Sequence, residues 1–273
     1  MSSDTNVEAI IARHFNARVA LGAQTTNDVA ADRKFVDAVG RGIALIEAFG
    51  RRMGPLSNAD LHEITGFSKP AITRLAHTLV MLGYLRRVEN GRFELTPKIA
   101  SLARPMLEAS AATLPSDALA AIAASGPWCI VVAEPNGASL IVTASFRGTA
   151  PGTPECAIGT TLDLATTSAG RAWIATLDAQ ARQQALLSLD LESHALEVFA
   201  TARAKLLSDG YCVEVGEWRR GLATLAMPFD ADGRAGGRVV MCATPEKRAW
   251  RERLVRDVVP KLRKTLPFSV PAR

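Results

Sequence analysis

Leu56-Ser57-Asn58-Ala59-Asp60-Leu61-His62-Glu63-Ile64-Thr65-Gly66, followed by Phe67-Ser68-Lys69-Pro70-Ala71-Ile72-Thr73-Arg74-Leu75, is the stretch on which the fold turns. The Ser57 hydroxyl is suited to accept from the free amides of a helix start. Asp60 falls in the first turn, at the positive end of the helix dipole, and Gly66 tolerates the left-handed conformation that ends a helix. Ser68 then caps a second helix with Pro70 in its first turn, where a missing amide costs little. Ile72, Leu75, Leu79 and Leu82 make its buried stripe, and Gly83 stops it. Two short, capped helices joined by Gly66-Phe67-Ser68 spell a helix-turn-helix.

Outward from this pair the pattern continues. Upstream, Val36, Val39, Ile43, Ile46 and Phe49 recur at three- and four-residue intervals, the period of a helix burying that face, and Gly50 closes it. Downstream, Leu85–Val88 and Phe93–Leu95 are strand candidates around Glu89-Asn90-Gly91-Arg92, where Asn-Gly favours a tight hairpin. Three helices and a hairpin predict a winged helix. The stripe opposite the apolar one carries Lys69, Thr73, Arg74, His77 and Thr78, all donors suited to phosphates or base edges, and the hairpin adds Arg86, Arg87 and Arg92. A cluster of charges is usually just a solvated surface, but here turn spacing, capping, hairpin and basic face agree on duplex DNA. Ser68, Lys69, Thr73, Arg74 and His77 are the expected groove contacts, with Arg87 and Arg92 on phosphates. His62 and His77 lie on different helices without partner carboxylates, so neither reads as a metal ligand or catalytic base.

The chain has 273 residues, enough for two domains. Hydrophobic residues make up 48% and charged residues 22%, which excludes a wholly disordered chain. Residues 1–33 read as an N-terminal arm with a helix candidate at Val7–Leu21, 34–95 as the winged helix-turn-helix domain, 96–114 as a linker helix with Pro105 breaking its pattern, and 115–273 as a larger second domain. In the last, helix candidates Ala118–Ala124, Thr166–Leu177, Leu196–Leu207 and Trp250–Leu266 alternate with strand candidates Trp128–Glu134, Ser139–Phe146, Gly210–Val213, Ala223–Phe229 and Arg238–Ala243. Antiparallel pairs with helices packed to one side predict an α+β fold. The longest uncharged run, Ala118–Ala133, is interrupted by Gly126-Pro127 and falls short of the ~20 residues a bilayer needs, so no membrane partner is expected. The first residues lack the basic and apolar pattern of a secretion signal, which points to the cytoplasm. Cys129, Cys156, Cys212 and Cys242 are far apart with no metal-ligand spacing, so buried reduced thiols are expected, with no metal and no cofactor. No Gly-x-Ser-x-Gly elbow or phosphate-cradling glycine loop occurs, and His194 lacks a recognisable partner, so no enzyme is expected.

Over about residues 35–268 the chain resembles the IclR family of bacterial transcriptional regulators. Val39–Phe49 is similar to the family's opening helix, Ser68–Leu75 to its recognition helix, and Leu82-Gly83-Tyr84-Leu85 to the step into the wing. Gly159-Thr160-Thr161-Leu162-Asp163-Leu164-Ala165-Thr166-Thr167-Ser168-Ala169-Gly170-Arg171-Ala172 is similar to the segment under the family's effector pocket. Glu217–Pro228 is similar to its Glu-to-Pro signature. Asp163 departs from a common proline, and Pro70-Ala71 from small hydroxyl residues, so neither ligand nor operator transfers by analogy. The resemblance implies a GAF-like α/β effector-binding and oligomerisation domain at 115–273, a homodimer or homotetramer, and a small-molecule effector, often an organic or aromatic acid. Candidate effector contacts are Ser145, Phe146, Gly159, Thr160, Thr166, Ser168, Leu225, Met227 and Cys242, hydroxyls orienting a polar ligand and apolar groups excluding water. A ligand-independent DNA-binding or architectural protein is the alternative, favoured if the second domain is solidly packed.

Overall fold

Ser57 and Asp60 set the frame of the N-terminal unit. In the computed structural model, which describes residues 35–52, 54–189, 193–230 and 237–268, the Ser57 hydroxyl accepts from the Asp60 amide at 3.2 Å. The Asp60 carboxylate accepts from the Ser57 amide at 2.8 Å, completing a reciprocal capping box. The helix so started, α2 (Asn58–Thr65), follows α1 (Asp37–Ala48) and ends at Gly66 with φ of 69°. Across the turn, the Thr65 hydroxyl donates to the Leu61 carbonyl and accepts from the Phe67 amide, while His62 Nδ1 lies 2.7 Å from the Phe67 carbonyl oxygen. Ser68 occupies the cap position of α3 (Lys69–Met81), but its exposed hydroxyl makes no capping bond. Pro70 removes one of the first-turn amides a cap would serve. The wing is β1 (Leu85–Arg87) paired with β2 (Phe93–Leu95), joined through Asn90 and Gly91 at φ of 58° and 69°, the left-handed pair that an Asn-Gly turn supplies. Leu45, Leu56, Leu61, Phe67, Ile72, Ala76, Leu85 and Phe93 form its core.

One expected face is covered only at its C-terminal end, where Phe49 is buried and Ile46 packs against the core. Leu45 and Ala48 carry the burial of α1, whereas Val39 is 61% and Ile43 52% exposed. The N-terminal part of the apolar stripe looks outward, and Val39 and Ile43, with Leu82, Leu102 and Tyr84, border a largely apolar cavity of about 660 Å³ between α1 and α3. The arm, with its Val7–Leu21 candidate, lies outside the described residues.

From Lys98 to Ala111 a single helix, α4, runs through Pro105. Its start is tied down by the Thr96 hydroxyl on the Gly83 carbonyl (2.6 Å) and the Lys98 ammonium on the Leu82 carbonyl (2.8 Å). The chain divides into two compact units between Met106 and Leu107 of this helix.

The second unit contains α5 (Ser116–Ala124), β3 (Cys129–Asn136), β4 (Ser139–Arg147), β5 (Thr161–Asp163), α6 (Ser168–Thr176), α7 (Ala179–Ser188), α8 (Ser193–Asp209), β6 (Cys212–Val215), β7 (Leu222–Phe229) and β8 (Arg238–Pro245). The strands form one antiparallel sheet in the order β5-β4-β3-β8-β7-β6. Helices cover both faces, not one. Val131, Ala226 and Met241 pack with Ala172, Trp173, Phe199 and Leu206 of α6 and α8. Ile130, Val132, Leu225, Met227 and Cys242 pack with Leu119 and Ile122 of α5 and with the C-terminal helices. The physical reason is written in the strands: Cys129–Ala133, Ala223–Phe229 and Val239–Ala243 are apolar or small at nearly every position, the pattern of strands buried on both sides. The final helix is divided into α9 (Arg248–Arg253), a π-type turn at Leu254–Val258, and α10 (Val259–Thr265) with Pro260 in its first turn. Two elements escaped the periodicity reading. The short edge strand β5 has too few residues to show a period, and polar α7 is signalled only by its cap, Asp178, which accepts from the Ala181 amide at 2.8 Å.

Gly170 sits where α6 crosses β5, and a Cβ there would overlap the backbone of Leu164. Gly170→Ala is therefore expected to destabilise the second unit by about 1–3 kcal/mol or more, because backbone cannot step aside as a flexible side chain would. Chemical denaturation measures this; an unchanged midpoint would contradict the packing.

All four cysteines are free and buried. Burial pushes Cys156 up to about 11 and Cys212 up to about 12, and it raises Cys129 and Cys242 as well. The folded protein thus holds these protons more tightly than the unfolded chain, whose thiols ionise near ~8.5. Their contribution to stability is complete below that pH and is lost as pH rises toward the folded values. The urea midpoint is expected to fall between about pH 8.5 and pH 11, and replacing Cys212 with Ala is expected to flatten the fall.

Candidate functional site

Capping and turn geometry leave one side of α3 in solvent. Ser68, Lys69, Thr73, Arg74, His77 and Thr78 are all exposed. Among the described residues, the side chains of Lys69, Arg74 and His77 make no hydrogen bond or ion pair. The two threonines are already engaged: Thr73 donates to the Lys69 carbonyl (2.9 Å) and accepts from Asn58 Nδ2 (3.2 Å), and Thr78 donates to the Arg74 carbonyl (3.0 Å). Their protons are spent on the helix, so Lys69, Arg74 and His77 carry the free donor capacity of this surface.

The wing arginines divide by role. Arg87 is exposed and lies over the Phe93 ring at 5.4 Å, while Arg86 pairs across the hairpin with Glu94. Arg92, also exposed, donates to the Pro55 carbonyl at 2.9 Å and to Asp60 at 3.3 Å. Asp60 also receives Arg52 at 2.9 Å. Hydrogen bonds from the Ser57 amide and hydroxyl, with Arg92 and Arg52 beside it, hold the Asp60 carboxyl below its ordinary value. Arg92 therefore ties the wing to the cap of α2, a role that residue type alone did not disclose.

In the second unit the nine candidate effector residues do not come together. Ser145 shares the α6 side of the sheet with Cys129 and donates to the Cys156 carbonyl at 2.7 Å. Gly159 and Thr160 extend the ladder beside Val142 through backbone bonds of 2.8 and 3.0 Å. Thr166 is exposed and donates to Asp163 at 3.0 Å. Ser168, fully buried, meets the Thr224 hydroxyl at 2.6 Å, which in turn donates to Glu214 at 3.0 Å. Glu214 also accepts from the Glu217 and Trp218 amides, and Glu217 pairs with Arg171, which is anchored on the Ala165 carbonyl at 3.0 Å. By contrast, Phe146, Leu225, Met227 and Cys242 lie on the opposite face, packed into the core beneath α5 and the C-terminal helices. The division follows strand parity: side chains alternate, so Leu225 and Met227 point away from whatever Thr224 and Ala226 face. The chain Ser168–Thr224–Glu214 was missed, although that same alternation marks Thr224 once Ser168 is taken as a site residue.

Among the described residues no cluster of three or more His, Cys, Asp and Glu could hold a metal, and no helix is long and apolar enough to cross a membrane. The architecture is that of a winged helix-turn-helix protein carrying a GAF-like α/β unit. Residues 38–89 match the IclR helix-turn-helix domain. The chain is 26% identical over 236 residues to the Pca regulon regulatory protein of Pseudomonas putida, covering 79% of this chain and 77% of that protein. It is similar to the crystal structure of an IclR family transcriptional regulator from Brucella abortus, with a TM-score of 0.71 and 29% identity over 86% of this chain and 91% of that one. The same fold occurs in an IclR homolog from Microbacterium hydrocarbonoxydans complexed with 4-hydroxybenzoate, at a TM-score of 0.68 and 16% identity over 84% and 95% of the chains. The chain thus carries an IclR helix-turn-helix domain and is similar, over most of its length, to IclR family transcriptional regulators.

Proposed function

We propose that this regulator binds an operator in duplex DNA through α3 and the wing, and that a small organic acid, aromatic in the first instance, binds its second unit and alters operator affinity. The observation that carries the DNA reading is the unpartnered trio Lys69, Arg74 and His77 on an exposed helix that follows a capped helix-turn-helix. Arg74 has the fork geometry for a bidentate bond to guanine, and Arg87 is placed for phosphate. Arg92 acts chiefly by holding the wing against α2.

For the effector, the α6 side of the sheet is the better candidate, with Ser145, Gly159, Thr160, Thr166 and Ser168 nearest to it and the Glu214–Thr224 pair behind. The four candidates on the other face serve as core. We further propose that a second copy of the chain covers the outward apolar face of α1 around Val39 and Ile43, giving a dimer whose two heads meet half-sites about 34 Å apart or a multiple of that. The regulator works where its DNA is, in the cytoplasm, and no catalytic role is proposed.

A ligand changes DNA affinity only through unequal binding to the competent and incompetent arrangements. The experiment is selection of bound fragments from the source genome, followed by fluorescence titration of the recovered operator with and without an aromatic-acid panel that includes 4-hydroxybenzoate. A shift in operator affinity with at least one acid is expected. Operator binding that no acid alters, together with no ligand-induced thermal shift, would favour the ligand-independent DNA-binding protein.

A further inference from the structure

The formal charge of the chain is +5, and nineteen residues account for it. Between Glu246 and Lys264 stand eight Lys and Arg against three Asp and Glu, leaving 24 of each sign in the rest of the sequence. An ordinary solvated surface mixes its charges; this one has segregated them.

The segment is also firmly held. Leu254, Val258, Val259, Leu262 and Leu266 are buried in the core beneath the sheet. Arg253 stacks on Trp250 at 4.9 Å and Trp128 at 5.7 Å, the two rings being edge to face at 5.9 Å. Two of the three acids are satisfied locally, Glu252 by Arg248 at 2.8 Å and Asp257 by Arg256 at 2.7 Å and Arg253 at 3.3 Å. The paired arginines hold the Asp257 carboxyl down at about 2. Lys247, Lys261 and Lys264 are exposed and have no ion-pair partner among the described residues, and Arg263 rests on the Asp209 carbonyl, a dipole rather than a charge. From Lys247 to Lys264 a helical rise covers about 26 Å, comparable to most of one turn of duplex.

We infer that residues 246–264 form a second, sequence-independent contact for the phosphate backbone of duplex DNA. The inference builds on the operator reading above but uses a different surface. Three exposed lysines without carboxylate partners, carried on a segment anchored in the core, neutralise phosphates at little cost in side-chain pairing. The one aromatic residue of the segment, Trp250, is half-buried and engaged by Trp128 and Arg253, so the segment lacks the run of aromatic platforms on which unpaired bases stack, which favours duplex over single strands.

The test uses the full chain carrying Lys247→Gln, Lys261→Gln and Lys264→Gln together, after thermal melting confirms that these exposed changes leave the fold intact. Affinity is measured against salt on a long duplex containing the operator and on an unrelated duplex of equal length. The triple variant is expected to bind both about tenfold more weakly, with the salt slope reduced by roughly 0.9 for each phosphate that is no longer neutralised and the ratio of operator to unrelated binding unchanged. Equal affinity and slope in variant and parent would overturn the inference. So would a variant whose only defect is loss of salt-sensitive self-association or of binding to purified RNA polymerase, since the partner would then be an acidic protein surface. Arg74→Ala separates the two readings: if it leaves operator preference intact the head assignment fails, while the lysine result on unrelated duplex still decides this one.

Discussion

Arg74→Ala is expected to lower operator affinity by about 5- to 150-fold, the equivalent of the ~1–3 kcal/mol that a bidentate arginine–guanine contact contributes. The reasoning is local. Arg74 is exposed in the middle of α3, on a helix fixed by Ile72, Ala76 and Leu79 in the core, and no carboxylate among the described residues competes for its fork. The loss should be uneven across sequences, largest for operators carrying the guanine and small for those in which it is replaced. Lys69→Ala, removing a point charge, should weaken all sequences alike and reduce the salt slope by about 0.9. Fluorescence titration at fixed salt, over a set of single-base operator variants, distinguishes the two; an Arg74→Ala protein with undiminished affinity and preference refutes the assignment.

The largest effect on stability is expected from Arg238→Met. Arg238 is only 3% exposed, on β8, and its Nε lies 3.3 Å from Glu134 on β3. Its Nη1 donates to the Thr113 hydroxyl at 2.7 Å, while Ser110, fully buried at the end of α4, donates to Glu134 at 2.6 Å. Removing the arginine strands a largely buried carboxylate and its hydroxyl partners, a change that costs about 3–5 kcal/mol where such pairs have been broken. For a unit of this size that corresponds to a melting point lower by roughly 6–20 °C. Replacing both Arg238 and Glu134 with Met should recover most of the loss, since the desolvation penalty disappears with both charges. A double variant as unstable as the single one would mean that the pair acts through packing alone.

The parts of the fold that were legible in the sequence are those decided within a few residues. Ser57, Asp60 and Gly66 specify the start and stop of α2 by bonds to their own neighbours, and Asn90-Gly91 specifies the wing turn by its allowed dihedral angles. Whatever depends on a distant partner was harder to see. The spacing of Val39 and Ile43 showed an apolar stripe on α1 but not whether this chain covers it, because periodicity reports a face and not its neighbour. Arg92 reads from the sequence as a phosphate ligand, and its bond to Asp60, far off in sequence, is invisible there. The effector candidates divide by alternation: Leu225 and Met227 of β7 face the core beneath α5, while Thr224, adjacent to Leu225, faces Ser168.

The strand order has a consequence for synthesis. β3 pairs on one side with its hairpin neighbour β4, but its other edge is filled only by β8, which also completes β7. As the ribosome delivers the polypeptide, Cys129–Ala133 and Leu222–Phe229 each wait with an unpaired apolar margin until Arg238–Pro245 has emerged. A transcript that stops short of that strand would therefore yield a product with two sticky rims, destined for aggregation or proteolysis rather than partial activity.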